Sequence, residues 1–259
     1  MKGAIFYYSL TGNTRLACEY LAQNVRSVDF DLIDIRKPGE IDFAGYDVCG
    51  FACSTDFMKP PALMREFVQG IPEQQDTPAF LLTTNAGVPG KTLPLLKSWV
   101  KEKGFHVMAS HSLFTPESYP PLRAVGRTHQ QHPTDEELAE FKGFVENLST
   151  LLEQIGGSPL PEIELKSSLY PFGSGPKSRA LLSRKRVNPE RCNECSLCEK
   201  ECPHQAIKLD PKPVFDHARC QGCWACYNRC PQQAVYTWYM NKSRYPGPDK
   251  ELRRKLQVE

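Results

Sequence analysis

The sequence predicts an α/β protein: a doubly wound five-stranded parallel sheet in the first half, followed by a small α+β domain. Three observations carry this. Five apolar or β-branched runs alternate with helical patterns over residues 1–155. A stretch rich in Gly, Pro, Ser and basic residues, 156–189, interrupts that alternation. After it, eight of the chain's 11 cysteines fall between Cys192 and Cys230.

The expected strands are Gly3–Tyr8, Val28–Ile35, Asp47–Cys53, Ala79–Thr84 and His106–Phe114. Helical spacing puts Leu16, Tyr20 and Leu21 on one face of Arg15–Val25, and Leu63, Met64 and Phe67 on one face of Pro61–Gln69. It does the same for Leu95, Leu96, Trp99 and Val100 in Leu93–Lys103, and for Leu138, Phe141, Val145, Leu148 and Leu152 in Glu136–Ile155. Thr134 and Glu137 have the spacing of a capping box for the last helix. The link between the second and third strands carries no helical pattern. Residues 241–259 read as a basic tail with a short helix, DKELRRKL, whose charges are solvated.

Residues 1–155 hold 14 Lys+Arg against 19 Asp+Glu, and 156–259 hold 18 against 11. This uneven division accords with two domains and is too mild to argue for nucleic acid. No apolar run approaches the roughly 20 residues of a membrane span. The opening MKGAIFYYSLTGNT lacks the form of a signal peptide, so a cytoplasmic location is expected. In that compartment clustered cysteines point to metal or redox chemistry rather than disulfides.

The cysteines form a repeat. RCNECSLCEKECPHQAI at 191–207 recurs as RCQGCWACYNRCPQQAV at 219–235, offset by 28 residues, each copy reading C-x2-C-x2-C-x3-C-P. A cubane cluster needs four thiolates converging on four irons. Three closely spaced cysteines wrap one cluster, and the fourth is supplied by the other repeat. Cys192, Cys195, Cys198 and Cys230 would hold one [4Fe–4S] cluster, and Cys220, Cys223, Cys226 and Cys202 a second. Structural zinc sites take four ligands in total, and a dithiol site needs one C-x-x-C, so neither accounts for eight. The block at 190–240 resembles the bacterial two-cluster ferredoxins, which implies electron transfer.

The first strand runs into Ser9, Leu10, Thr11, Gly12, Asn13 and Thr14, and a helix begins at Arg15. Hydroxyls, an amide side chain and a glycine at a strand-to-helix turn suit a phosphate, held by backbone N–H groups at the helix start. The loop has neither the lysine of a Walker A motif nor a G-x-G-x-x-G. Thr-Gly-Asn-Thr here is similar to the phosphate loop of flavodoxins. That resemblance implies FMN, strand order 2-1-3-4-5, and two further loops at the flavin. One contributes Ser54, Thr55 and Phe57, the other Thr84, Asn85, Ala86 and Gly87, with Tyr119 as a second aromatic candidate beside Phe57.

Together the two resemblances imply a flavodoxin–ferredoxin fusion, an electron-transfer protein passing electrons between FMN, two clusters and a redox partner protein. An FMN-dependent reductase of a small acceptor and an iron–sulfur sensor remain alternative readings. No catalytic side chain is singled out. Cys18, Cys49 and Cys53 read as buried thiols, and His129 and His132 as solvated.

Overall fold

A computed structural model describes residues 1–165 and 184–257. Among these, 1–116, 131–165 and 248–257 form one compact unit, and 117–130 with 184–247 form another.

The first unit is built on a parallel sheet of β1 (Lys2–Tyr8), β2 (Asp29–Asp34), β3 (Val48–Ser54), β4 (Thr77–Asn85) and β5 (Phe105–Phe114), in the order β2-β1-β3-β4-β5. The expected fold is present, with strand ends moved by one or two residues. The period-two alternation of strands sorts side chains to two faces. Ile5, Tyr7, Val48, Ala52, Phe80 and Leu82 enter one buried cluster, and Ala4, Phe6, Cys49, Phe51, Ala79 and Leu81 enter the other. Gly50 is required by close packing, because a Cβ there would sit 2.3 Å from the Phe80 ring.

Helices α1 (Asn13–Asn24) and α5 (Asp135–Glu153) cover the first face, through Leu16, Leu21, Phe141 and Leu148. Helices α2 (Ala62–Gly70) and α3 (Thr92–Glu102) cover the second, through Met64, Val68, Leu96 and Val100. The Thr134 hydroxyl accepts from Glu137 N, and Thr134 N donates to the Glu137 carboxylate, so the capping box is formed. Between β2 and β3 there is only a 3-10 turn, Phe43–Gly45, capped by Asp42.

Three segments make contacts that the sequence did not show. In the tail the charged side chains of Lys250, Glu251, Arg253 and Arg254 are exposed as expected, but helix α8 (Lys250–Lys255) also buries Leu252 and Leu256 in the first cluster, with Leu256 0% exposed. Asp249 caps it by accepting from Leu252 N, and Lys255 Nζ donates to the carbonyls of Gln131 and Pro133. Of the expected linker, 156–189, residues 166–183 lie outside the described residues. Its near end instead packs on the sheet: Ile163 N donates to Val107 O, and Ile163 and Leu165 lie against the second cluster. His132 is held rather than solvated, its Nδ1 2.8 Å from the Glu137 carboxylate and its ring 3.9 Å from that of Phe114.

His111 lies between aromatic rings, with centroids 5.4 Å from Phe141 and 5.2 Å from Phe144. Burial pulls its pKa down from 6.5 to about 4. The unfolded chain therefore binds a proton below about pH 6.5 that the folded chain resists until about pH 4. Stability from this group is complete above the higher value and lost as pH falls through the lower, roughly 3 kcal/mol in all. His111→Leu should flatten the fall in urea midpoint of the first unit between pH 7 and 5, and an unchanged slope would count against this account.

The second unit has two antiparallel ribbons, β6 (Arg186–Val187) with β9 (Val235–Tyr236), and β7 (Ile207–Asp210) with β8 (Lys212–Phe215). Short helices α6 (Leu197–Lys200) and α7 (Ala225–Arg229) follow the cysteine loops, and α4 (Pro120–Ala124) joins this unit from the segment after β5. Among the described residues no helix is long and apolar enough to cross a membrane.

Candidate functional site: two cysteine-lined cavities and a strand-end loop

The repeat is visible residue by residue in the second unit. Asn188 and Asp216, 28 apart, each accept from backbone amides two and three residues on, forming the turn before the first cysteine. Glu194 and Gly222 take positive φ (59° and 69°), as do Ser196 and Trp224 (54° and 61°), so both loops curl the same way. Val187 pairs with Val235 and Phe215 with Ile207, which are equivalent pairings under the same offset.

Each copy lines a cavity, with about 340 and 350 Å3 of non-atom space open to solvent. Cys192, Cys195, Cys198 and Cys230 line the first, and Cys202, Cys220, Cys223 and Cys226 the second. In each, three cysteines come from one repeat and one from the other. The crossing sulfurs are also hydrogen-bonded alike: Ala206 N donates to Cys202 Sγ at 3.3 Å and Ala234 N to Cys230 Sγ at 3.2 Å. The prolines after the crossing cysteines, Pro203 and Pro231, turn the chain so that these amides reach back.

Burial raises the thiols, Cys198 to about 11 and Cys223 to about 12, and Cys226 well above its ordinary value. Four soft sulfur donors around one cavity suit an iron–sulfur cluster, whose formation releases those protons. Among the described residues no group of three or more His, Cys, Asp and Glu side chains is close enough to hold a single metal ion. Residues 191–234 match the 4Fe-4S dicluster domain family.

At the carboxyl ends of the first unit's strands, the loop after β1 leads into α1 through Gly12, whose φ of 109° and close neighbour Pro248 leave no room for a side chain. The N-cap residue Gly12 has no side chain to cap α1, and no acidic residue lies in its first turn to offset the positive end of the helix. Ser9, Asn13 and Thr14 are buried. Thr14 Oγ1 is 2.8 Å from Thr84 Oγ1, which joins this loop to the end of β4, and Ser9 Oγ accepts from Arg15 N. Hydroxyls and helix-start amides, with no acidic residue in the helix's first turn, are a donor set for a phosphate monoester.

The other two loops are pinned together. Thr55 N donates to Thr84 O, and Lys91 N to Met58 O. Phe57 and Met58 both take positive φ (47° and 65°) at the tip of a tight turn closed by Asp56 and Lys59. Such backbone is uncommon in bulky residues. Phe57 is half-buried there, beside Ser54. The Thr55 hydroxyl turns to those of Thr83 and Thr92. Asn85 holds its own turn, accepting from Gly87 N and donating to Ser112, with Ala86 between. Leu10 and Thr11 are half-buried on the first loop.

Tyr119 lies in the segment that follows β5. It belongs to the second unit, where its ring meets Trp224 edge-on at 5.9 Å, and Asn228 Nδ2 donates to Ser118 O in the same segment. The three remaining cysteines are core: Cys18, Cys49 and Cys53 are each 0% exposed, and burial raises all three thiols.

Sequence reasoning missed Lys185. It is 2% exposed, lines the second cavity, and sets its ammonium 3.5 Å from the centroid of the Trp224 ring. Burial lowers its pKa, while the sulfurs of Cys226, Cys220 and Cys223 act against that. The signal was weak because Lys185 stands in a basic run that reads as solvated.

Several solved structures resemble the first part of the chain. A flavodoxin from the domain Archaea is 20% identical, covering 59% of this chain and 99% of its own, with a TM-score of 0.43. The two-electron reduced flavodoxin of Megasphaera elsdenii is 16% identical over 57% of this chain and 98% of its own, at 0.44. A Streptococcus pneumoniae TIGR4 flavodoxin is 14% identical over 58% and 99%, also at 0.44. No curated protein matches the chain.

Proposed function

We propose that the protein is an electron carrier, passing electrons between FMN held by the first unit and two [4Fe–4S] clusters held by the second, and on to a redox partner protein. The observation that carries this is the pair of four-cysteine cavities, each completed by the other repeat. When bound, the clusters supply one-electron steps and FMN one- or two-electron steps.

The chain's own residues have definable tasks. Ala206 and Ala234 N–H groups, donating to the crossing sulfurs, favour the more negative, reduced charge state. Leu197, Leu209 and Val235 on one cavity, and Ile207, Phe215 and Trp224 on the other, limit water around the sulfurs. The α1 start, with Ser9, Thr14 and Thr84, orients the phosphate of FMN, and Phe57 and Ser54 stand at the loop that would meet its ring.

Purification without oxygen, followed by iron, sulfide and flavin analysis, tests this directly. The expected result is about eight irons and one FMN per chain. Eight irons without flavin would overturn the account of the first unit, and rapid turnover of a small acceptor with no protein partner would favour a reductase.

A further inference from the structure

The two cavities are related by the 28-residue offset, so each residue of one can be compared with its counterpart in the other. Val187 lines the first and its counterpart Phe215 the second; Ala234 lines the first and Ala206 the second. Several differences change the electrostatics: His204 lines the second cavity where Gln232 lines the first, and Glu194 lines the first while its counterpart Gly222 does not line the second. Pro213 lines the first cavity, and the residue 28 before it, lining the second, is Lys185. Ser196 lines the first, and its counterpart on the second is Trp224, whose ring face receives the Lys185 ammonium. A lysine buried to 2% exposure, over an aromatic face, is confined beside that cavity.

Other cations do not restore the balance. Lys212 donates to Cys192 O at the first site, but it is paired with Glu194 at 2.6 Å, which cancels its charge there. Arg244 donates to the carbonyls of Gln233 and Val235, and its charge is felt by Cys230 and Cys226, one from each cavity. Among the described residues lining the two cavities, Lys185 is the one Lys or Arg.

We propose that Lys185 raises the reduction potential of the cluster held by Cys202, Cys220, Cys223 and Cys226 above that of its neighbour, so that this cluster takes the first electron. The inference rests on the reading that the second unit binds two clusters. A cubane with four thiolates carries net negative charge, and reduction adds one more without making or breaking a bond. A desolvated ammonium attracts the reduced cluster more than the oxidised one, because the reduced cluster carries one more negative charge, and so favours reduction. The same negative charge sustains the ammonium in its buried place. Lys185 is therefore a tuning residue for one cluster and holds none of the iron.

The test is a potentiometric titration with dithionite, followed by electron paramagnetic resonance, on the full chain loaded anaerobically. Wild type, Lys185→Met and Lys185→Arg are compared at matched iron and sulfide content. Lys185→Met should lower one midpoint and leave the other in place, shifting the first electron's distribution at least tenfold, which is about 59 mV for one electron. Lys185→Arg should hold the wild-type midpoints. The proposal is overturned if neither midpoint moves in the Met variant, or if the Arg variant shifts as far. Should the Met variant lose iron, Lys185→Gln takes its place. Loss from both neutral variants but not from Arg would mean that the charge retains the cluster rather than setting its potential, which also overturns the proposal. A wild-type chain that binds fewer than two clusters fails the underlying reading instead, and iron analysis separates the two failures.

Discussion

Replacing Cys202 with alanine should remove about four of the eight irons, and adding Cys220→Ala should remove no more. Both residues line the second cavity, although they belong to different repeats. If each repeat held its own cluster, the double variant would lose nearly all the iron. Cys202→Ala combined with Cys192→Ala is the reciprocal experiment. These two share a repeat but line different cavities, so the crossed arrangement expects both clusters to be lost. Iron and sulfide per chain, read with the cluster absorption, decide between the arrangements. The effect is large because a cubane with three thiolates exposes one iron, and the vacated cavity wall offers it no replacement sulfur.

Leu256→Ala should destabilise the first unit by about 2–5 kcal/mol, the range for a fully buried leucine whose site cannot collapse. For a unit of this size that is a fall in Tm of about 5–15 °C. Iron content should not change, because Leu256 packs in the sheet's first cluster and not in the unit that holds the cysteines. Arg253→Ala, exposed on the same helix, should shift stability by less than about 0.5 kcal/mol. Equal effects from the two variants would mean that the helix is a surface appendage. The outcome is read by thermal unfolding of the far-ultraviolet helix signal, with iron measured on the same samples.

Strand positions in the first half were readable because a parallel sheet covered on both faces demands long apolar runs, as in KGAIFYY and VCGFACS. The cysteine sites were readable for a different reason. Cluster geometry constrains ligand spacing within a short stretch, and a second copy in register is hard to produce by chance. The loop at Ser9–Thr14 was readable because a strand-to-helix turn with glycine and hydroxyls is local chemistry. By contrast, DKELRRKL shows two apolar residues four apart among six charged ones, a faint signal of burial.

The sequence by itself thus determined what depends on neighbours in the chain: the alternation of strand and helix, the capping box at Thr134, the cysteine repeat, and the turn at Gly12. Tertiary structure alone decided which unit claims each distant segment. Residues 117–130 leave the sheet's unit for Trp224 and Asn228, and 248–257 return to it through Leu252 and Leu256. It also decided that Lys185 lines the cavity of the repeat that follows its own, where Pro213 lines the first. The physical reason is that spacing records the geometry of one turn or one ligand loop. Burial between segments a hundred residues apart is settled by the summed apolar area of many partners, and no short pattern in either segment records it.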